Sequence, residues 1–415
     1  MEVTFICMSK RSRIVILSDG IQGGAASLAN MLANDLADAD GNYEILRWHF
    51  SPNSRPGTFN DHVHETSLAP QLKRPPVERL LKNLYRNLAD RLRARRNERA
   101  LLHAVSHFSP DLVHLHNIHS ADLSHKTLLR LPKSMPLVWT LHDLWPLKGY
   151  ATSWWDFRTH KRERHLIGPS SRKHLISQRD DFFSSGRNIT MVSPSQYVAN
   201  IVRPYALRYQ FKTATIPHVV REEFFVEQDR LLARNKWQLT PGKLWIGIGS
   251  TWNNNRKGMD VFWDALRYVD ISKLGLLIWG QQPQVPASLG LDIRCVGSIS
   301  SAVEMASLFA AVDLFVCPTK GDTGPLTVLE SMAVGTPVLA SRVGGIPERI
   351  FHGLNGLLFE SQNERNLADM VNKASNGLWP LEKMGLAARA SVIKKHASHM
   401  QSAQYSELYR NVVAI

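Results

Sequence analysis

Residues 314–348 read LFVCPTKGDTGPLTVLESMAVGTPVLASRVGGIPE. Leu314–Cys317 is a short apolar run and predicts a buried strand. A glycine-rich turn follows, and then an apolar helical pattern from about Pro325. Gly335-Thr336-Pro337 ends that helix and opens a second strand, 337–340. Strand, helix and strand in this order predict parallel pairing with helices covering the sheet. The unpaired N–H groups of Gly324, Leu326 and Thr327 would face an anion such as a diphosphate. Pro325 suits the first helical turn because it has no N–H to leave unbonded. Asp322 precedes the helix and Glu330 lies inside it. Both can reach one cleft, where carboxylates bind sugar hydroxyls through charge-assisted hydrogen bonds.

The same rhythm runs outward in both directions. Strands are expected at 244–249, 275–279, 293–296 and 356–359, and earlier at 13–17, 43–48, 111–115, 137–141, 189–192 and 213–216. These are too many for one ordinary sheet, so two doubly wound α/β domains are expected. The first spans 1–220, with an irregular insertion at 150–187. A hinge follows at 221–242, closed by Pro241-Gly242, and the second domain spans 243–395. A last helical run, 386–413, carries Tyr405, Leu408 and Tyr409 at helical spacing. Its end, 396–415, is expected to cross back to the first domain.

Composition limits the alternatives. The chain has 415 residues, 44% hydrophobic and 21% charged, with three cysteines far apart. That excludes a mostly disordered chain, a disulfide framework and a Cys-rich zinc site. No stretch reaches the roughly 18 uncharged apolar residues that span a bilayer. Met1–Met8 lacks a basic region and a long apolar core, so no signal peptide is expected. A cytoplasmic protein is expected. The net charge of +14 is uneven: residues 1–220 hold 30 Lys and Arg against 18 Asp and Glu, and residues 221–415 hold 20 against 18. A basic helix over 78–104, with Leu80, Leu81, Leu84, Leu88 and Leu92 along one side, could lie on an anionic membrane at the inner face of the cell envelope. It could equally pack its leucines on its own sheet. Zinc-finger spacing, RNP-type strands and basic zippers are missing from the sequence, and no nucleic-acid partner is expected.

Three more motifs carry chemistry. Gly20-x-x-Gly23-Gly24 follows a strand and opens a helix, which allows close approach to an anion or serves as a tight turn. In DLVHLHNIHS, His114 and His116 share a face by strand alternation. With His119 or His142 they could in principle bind zinc, but no metal site is expected, and a neutral histidine at a strand end more naturally bonds a polar ligand. His142-Asp143 sits on the same edge if the strands are neighbours, unless Asp143 only caps the next segment. Arg256-Lys257 precedes a helix over 259–269, where two cations oppose the helix dipole and a bound phosphate would offset that cost.

Together these segments resemble retaining glycosyltransferase family 4, which has the GT-B fold of two Rossmann-like domains facing across a cleft. PDLVHLHNIHS, VWTLHDLWPLKG and STWNNNRKGMD are similar to a branch that builds bacterial surface polysaccharides. The resemblance implies transfer of a sugar from a nucleotide-diphosphate donor, held by the second domain, to a saccharide or lipid-linked acceptor on the first. It implies retention of configuration and no cofactor beyond the co-substrate. His116, Lys257 and Asp322 take the catalytic places. Arg256, Gly324, Pro325, Leu326, Thr327, Glu330 and Gly280 take the donor-binding places, and Gly23, Gly24 and His142 the acceptor or phosphate loop. Asp322 stands where the family usually has Glu, Thr251 where it often has Arg, and His218-Val219 where it has Asn-Gly. The Cys-rich stretch that often follows Gly149 is replaced by WWDFRTHKRERH. A nucleotide-sugar epimerase and a non-catalytic partner protein of the same fold remain alternatives.

Overall fold

The computed structural model describes residues 11–20, 23–39, 43–50, 63–68, 86–149, 169–250, 255–280 and 290–413. Two parallel sheets organise them. The first contains β1 (Ser12–Leu17), β2 (Tyr43–His49), β3 (Val63–Ser67), β4 (Leu112–Leu115), β5 (Leu137–Thr140), β6 (Ile189–Ser193) and β7 (Lys212–Thr215). Its spatial order is β3-β2-β1-β4-β5-β6-β7. The second contains β8 (Leu244–Ser250), β9 (Leu274–Gly280), β10 (Asp292–Cys295), β11 (Leu314–Cys317), β12 (Val338–Ser341) and β13 (Leu357–Phe359), in the order β10-β9-β8-β11-β12-β13. Strand order reverses between β1 and β4 and again between β8 and β11. In open parallel sheets such reversals open the crevice where ligands bind.

Strand alternation divides each core in two. Ile14 and Ile16 face one layer, with Leu32, Leu36, Tyr405 and Tyr409. Val15 and Leu17 face the other, with Trp48, Trp139 and Phe182. In the second sheet Trp245, Trp279, Phe309 and Phe315 fill one face, and Ile246, Ile248, Leu276 and Val316 the other.

Several expectations need correction. β3, VHETS, was not expected: only Val63 is buried. Part of the expected irregular insertion is a helix, Pro169–Phe183, held by the fully buried Phe182 and Phe183; residues 150–168 lie outside the described ones. The last helical run is two helices, Leu381–Lys395 and Ser398–Val413, broken at His396. Within the expected hinge, Phe224, Ala233 and Leu239 are buried in the second lobe's core, so the segment is anchored to that lobe rather than free. The chain changes lobes just before it, and Ser398–Val413 returns to pack on the Gly24–Ala39 helix and the first sheet. The two crossings are bonded to each other. Val220 N–H donates to the His396 carbonyl at 3.0 Å, His396 Nδ1 to the His218 carbonyl at 2.7 Å, and Gln401 Nε2 to the Pro217 carbonyl at 2.8 Å.

The basic helix runs from Arg86 to Phe108; Leu80, Leu81 and Leu84 lie outside the described residues. Leu92 is 57% exposed, and the positions that pack are Leu101, Ala104 and Val105. The expected leucine stripe therefore does not face the sheet at Leu92. Among the described residues no helix is long and apolar enough to cross a membrane.

Candidate active site between the lobes

The second lobe contributes a compact group of charges. Asp322 lies in the loop between β11 and the next helix. Its Oδ2 accepts from Arg256 Nη1 at 3.0 Å and from Lys257 Nζ at 3.1 Å. Burial pushes the Asp322 carboxyl up, but Lys257 and Arg256 outweigh it and hold the group below its ordinary value. The offset of the two cations that sequence reasoning assigned to a phosphate is provided in this structure by Asp322. Asp322 Oδ1 also accepts from Gly324 N–H at 3.2 Å, so that N–H is committed, contrary to expectation. Gly258 has φ +74°, and a Cβ there would stand 1.8 Å from the Pro318 carbonyl oxygen. Only glycine lets the Lys257 turn lie that close to the strand leading to Asp322.

The helix beyond is Leu326–Val334, with Pro325 one residue before it as its cap rather than inside its first turn. Leu326, Thr327 and Glu330, with Val334 at its end, are its partly open positions, while Val328 and Leu329 are buried. They occupy one face by helical spacing. That face looks at the first lobe: a Cβ on Gly24 would lie 3.6 Å from Leu326 Cδ1. Burial pushes the Glu330 carboxyl from 4.5 up to about 7, against the pull of Arg221. Gly23 has φ +94° with open space beside it. Gly280 ends β9 opposite Ser250 and donates its N–H to the Gly297 carbonyl at 2.7 Å. Thr251 lies outside the described residues.

The first lobe contributes histidines. His114 and His116 do share a face, with ring centroids 4.4 Å apart. His114 is nevertheless a structural residue. Its Nδ1 bonds the Tyr409 hydroxyl at 2.6 Å and its Nε2 the Thr140 hydroxyl at 2.7 Å. Neither nitrogen is left for a metal or a substrate. His116 Nδ1 bonds His142 Nε2 at 2.7 Å, while His116 Nε2 is buried without a partner among the described residues. His142 stacks on His116 at 4.9 Å and on His218 at 5.3 Å. Burial lowers His114 and His142 from 6.5 to about 3 and drives His116 well below 6.5, so these imidazoles are neutral at pH 7. His119 stands apart, tilted against Trp145 and 3.8 Å from Asp143. Asp143 Oδ1 caps Trp145 N–H at 2.9 Å.

The two halves of the site touch. Thr323 Oγ1 donates to the His142 carbonyl at 2.9 Å, and Ser195 Oγ to the Thr323 carbonyl at 3.3 Å. Glu348 accepts the N–H groups of Gln196 and Tyr197, at 2.8 and 2.6 Å, at the head of the first lobe's Gln196–Tyr209 helix. A carboxylate there is stabilised by the helix dipole. Sequence reasoning missed Glu348, Arg349 and the role of His218. It also missed Arg47, a fully buried cation that anchors the Gly20 loop by donating to Ser18 Oγ at 2.6 Å and the Gly20 carbonyl at 3.1 Å. A charged residue in the middle of the strand YEILRWH was the available signal.

Comparison with known proteins agrees with this geometry. Residues 22–220 match the family model described as Glycosyltransferase Family 4, and residues 242–376 the one described as Glycosyl transferases group 1. The chain is similar to an N-acetyl-alpha-D-glucosaminyl L-malate synthase from Bacillus anthracis, 27% identical over 206 residues, covering 48% of this chain and 54% of that protein. The chain thus spans about half the length of that curated relative, and less of several others. Among solved structures, sucrose-phosphate synthase from Thermosynechococcus elongatus superposes with a TM-score of 0.74 at 19% identity, over 97% of this chain and all of that one (100%). Anabaena Alr3699/HepE, solved in complex with UDP and glucose, gives 0.65 at 17% identity over 97% of this chain and 100% of that one. Two parallel-sheet lobes meeting at such a site, and superposing on solved structures over nearly their whole length, give the chain the GT-B fold, with residues 22–220 and 242–376 each similar to a glycosyltransferase family model.

Proposed function

We propose that the protein is a retaining glycosyltransferase that moves a sugar from a nucleotide-diphosphate donor to a saccharide or lipid-linked acceptor in surface polysaccharide biosynthesis. One observation supports this most: Lys257, Arg256 and Asp322 meet at the head of the helix that carries Glu330, on the face turned toward Gly24. A diphosphate gains negative charge as the glycosidic bond breaks. Lys257, Arg256 and the helix head would stabilise it in a site shielded from water, and we propose that they do so without a metal ion. Binding of the diphosphate would exchange the Asp322 partners of both cations, freeing that carboxylate for the transferred sugar. Glu330 would accept from the ribose hydroxyls. His116, neutral and with Nε2 unbonded among the described residues, would lie beside the reacting carbon. The acceptor hydroxyl would attack from the face the diphosphate leaves, passing its proton to the departing phosphate.

Arg95, Arg96 and Arg99 are exposed along one side of the basic helix, with Leu92. We propose that this side rests on the anionic inner face of the cell membrane and places a lipid-linked acceptor near the first lobe. The deciding experiment incubates the protein with UDP-, GDP- and ADP-hexoses, with and without polyprenyl-diphosphate saccharides, and follows nucleotide release and product anomer by NMR. Acceptor-dependent release with an unchanged anomer is expected. Donor consumption without acceptor would identify an epimerase, and an inverted product would refute retention.

A further inference from the structure

The first sheet ends at β7, and that edge borders a groove built from the first lobe alone. The Gln196–Tyr209 helix forms one wall and β7 the other, and the groove holds about 540 Å³. Clefts that bind ligands run from roughly 300 to 1,000 Å³. The backbone of β7 is open on its outer side. Ile216 N–H donates to the Ser193 carbonyl at 3.0 Å. Bonding direction alternates along a parallel strand, so Lys212 and Ala214 face β6 as Ile216 does, and Thr213 and Thr215 turn their N–H and C=O groups outward. Both threonines are exposed, and neither N–H meets a backbone acceptor among the described residues.

Charge and backbone together say what fits. Arg203 and Lys212 line the groove, both exposed and neither in an ion pair among the described residues. Among the described residues no Asp or Glu lines it. The carboxylate at its Gln196 end, Glu348, is already held by the N–H groups of Gln196 and Tyr197. The groove therefore favours a ligand that brings its own carboxylates. Outward N–H and C=O groups at strand spacing suit an extended polypeptide, whose backbone repeats the matching groups; a saccharide does not repeat them at that spacing. A lysine on an edge strand discourages pairing with a second copy, which would add its own cations to the groove. We infer that this groove docks an extended acidic segment of a partner protein, which pairs with Thr213 and Thr215 as an added strand and sets its carboxylates against Arg203 and Lys212.

Random dodecapeptides displayed on phage and selected on the full chain test this, with counterselection on the double variant Arg203→Glu, Lys212→Glu. Both positions are exposed, so the double variant should fold. Enriched peptides should carry acidic residues among β-branched ones and bind the parent at least about tenfold tighter than the double variant. Bound peptide should slow amide hydrogen exchange at Thr213 and Thr215 by about tenfold or more. Thr213→Pro removes an N–H that faces away from β6, so it should fold and weaken peptide binding by about fivefold, the scale of one hydrogen bond. A selection that enriches no peptide over the double variant, or peptides that leave those two amides unprotected, would overturn the inference. So would alginate oligosaccharides that protect the two amides where acidic peptides do not, or a dimer of the free chain that the double variant abolishes.

Discussion

The two lobes prepare their halves of the site in opposite ways. The first lobe offers buried imidazoles that burial keeps neutral, the innermost of them, His114, fully hydrogen-bonded. The second lobe offers full charges balanced against one another, Asp322 against Arg256 and Lys257. Neutral groups can sit beside a forming glycosidic bond without drawing the donor's phosphates away, while paired charges can be exchanged for a diphosphate at little cost in desolvation. Under the proposed transferase reading, the difference would assign leaving-group chemistry to the second lobe and placement of the reacting carbon to the first.

The largest test breaks the second lobe's balance. Lys257→Ala removes one cation aimed at the leaving group, and turnover should fall by about 2–4 kcal/mol of barrier, the scale of a lost oxyanion donor. Single-turnover kinetics at saturating donor measures it, and a rate within a factor of about three of the parent would break the proposed division of labour. The next test concerns the first lobe. His114 and His142 are depressed from 6.5 to about 3, so the unfolded chain takes up their protons first. Their contribution to stability is complete above pH 6.5 and is lost as pH falls toward 3. Each should add a slope of about 1.4 kcal/mol per pH unit across that window. Denaturant titration between pH 7 and pH 5 checks this, and His142→Phe should reduce the total slope by about 1.4 kcal/mol per pH unit, the other buried histidines keeping the rest.

Glu330 gives a smaller effect of opposite sign. Its folded-state value is raised to about 7, so the folded protein holds the proton longer and stability declines as pH rises from 4.5 to about 7. Ribose hydroxyls favour the ionised carboxylate, so donor affinity should rise by up to about tenfold between pH 6 and pH 8. Glu330→Gln should flatten that profile and stabilise the ligand-free protein above pH 7. The smallest effect tests the contact between lobes. Glu348→Gln weakens the cap on the Gln196–Tyr209 helix and should cost about 0.5–1 kcal/mol, read as a lower unfolding midpoint in urea.

Much of this comparison was legible in the sequence because backbone requirements leave marks. The strand ends, the glycine turns and the Asp322–Glu330 spacing all follow from local geometry. The strand β3 was hidden because four of its five residues are polar or partly exposed, so alternation carries no signal. The Pro169–Phe183 helix was hidden because its anchoring aromatics, Phe182 and Phe183, cluster at one end instead of recurring along a face. His114 and His116 could not be told apart, since what separates them is Tyr409, nearly three hundred residues away in the chain. Arg349 was invisible for the same reason: its burial depends on Gly324 and Pro325 from another turn.

The return of the final helix has a practical consequence. Tyr405 and Tyr409 complete the hydrogen bonds of Thr140 and His114, so residues 398–413 belong energetically to the first lobe. A hybrid enzyme made by exchanging halves at a single junction near residue 220 would inherit a foreign tail against its first sheet and leave buried hydroxyl and imidazole groups unmatched. Specificity grafts in this scaffold call for two junctions, with the tail travelling alongside the N-terminal segment it completes.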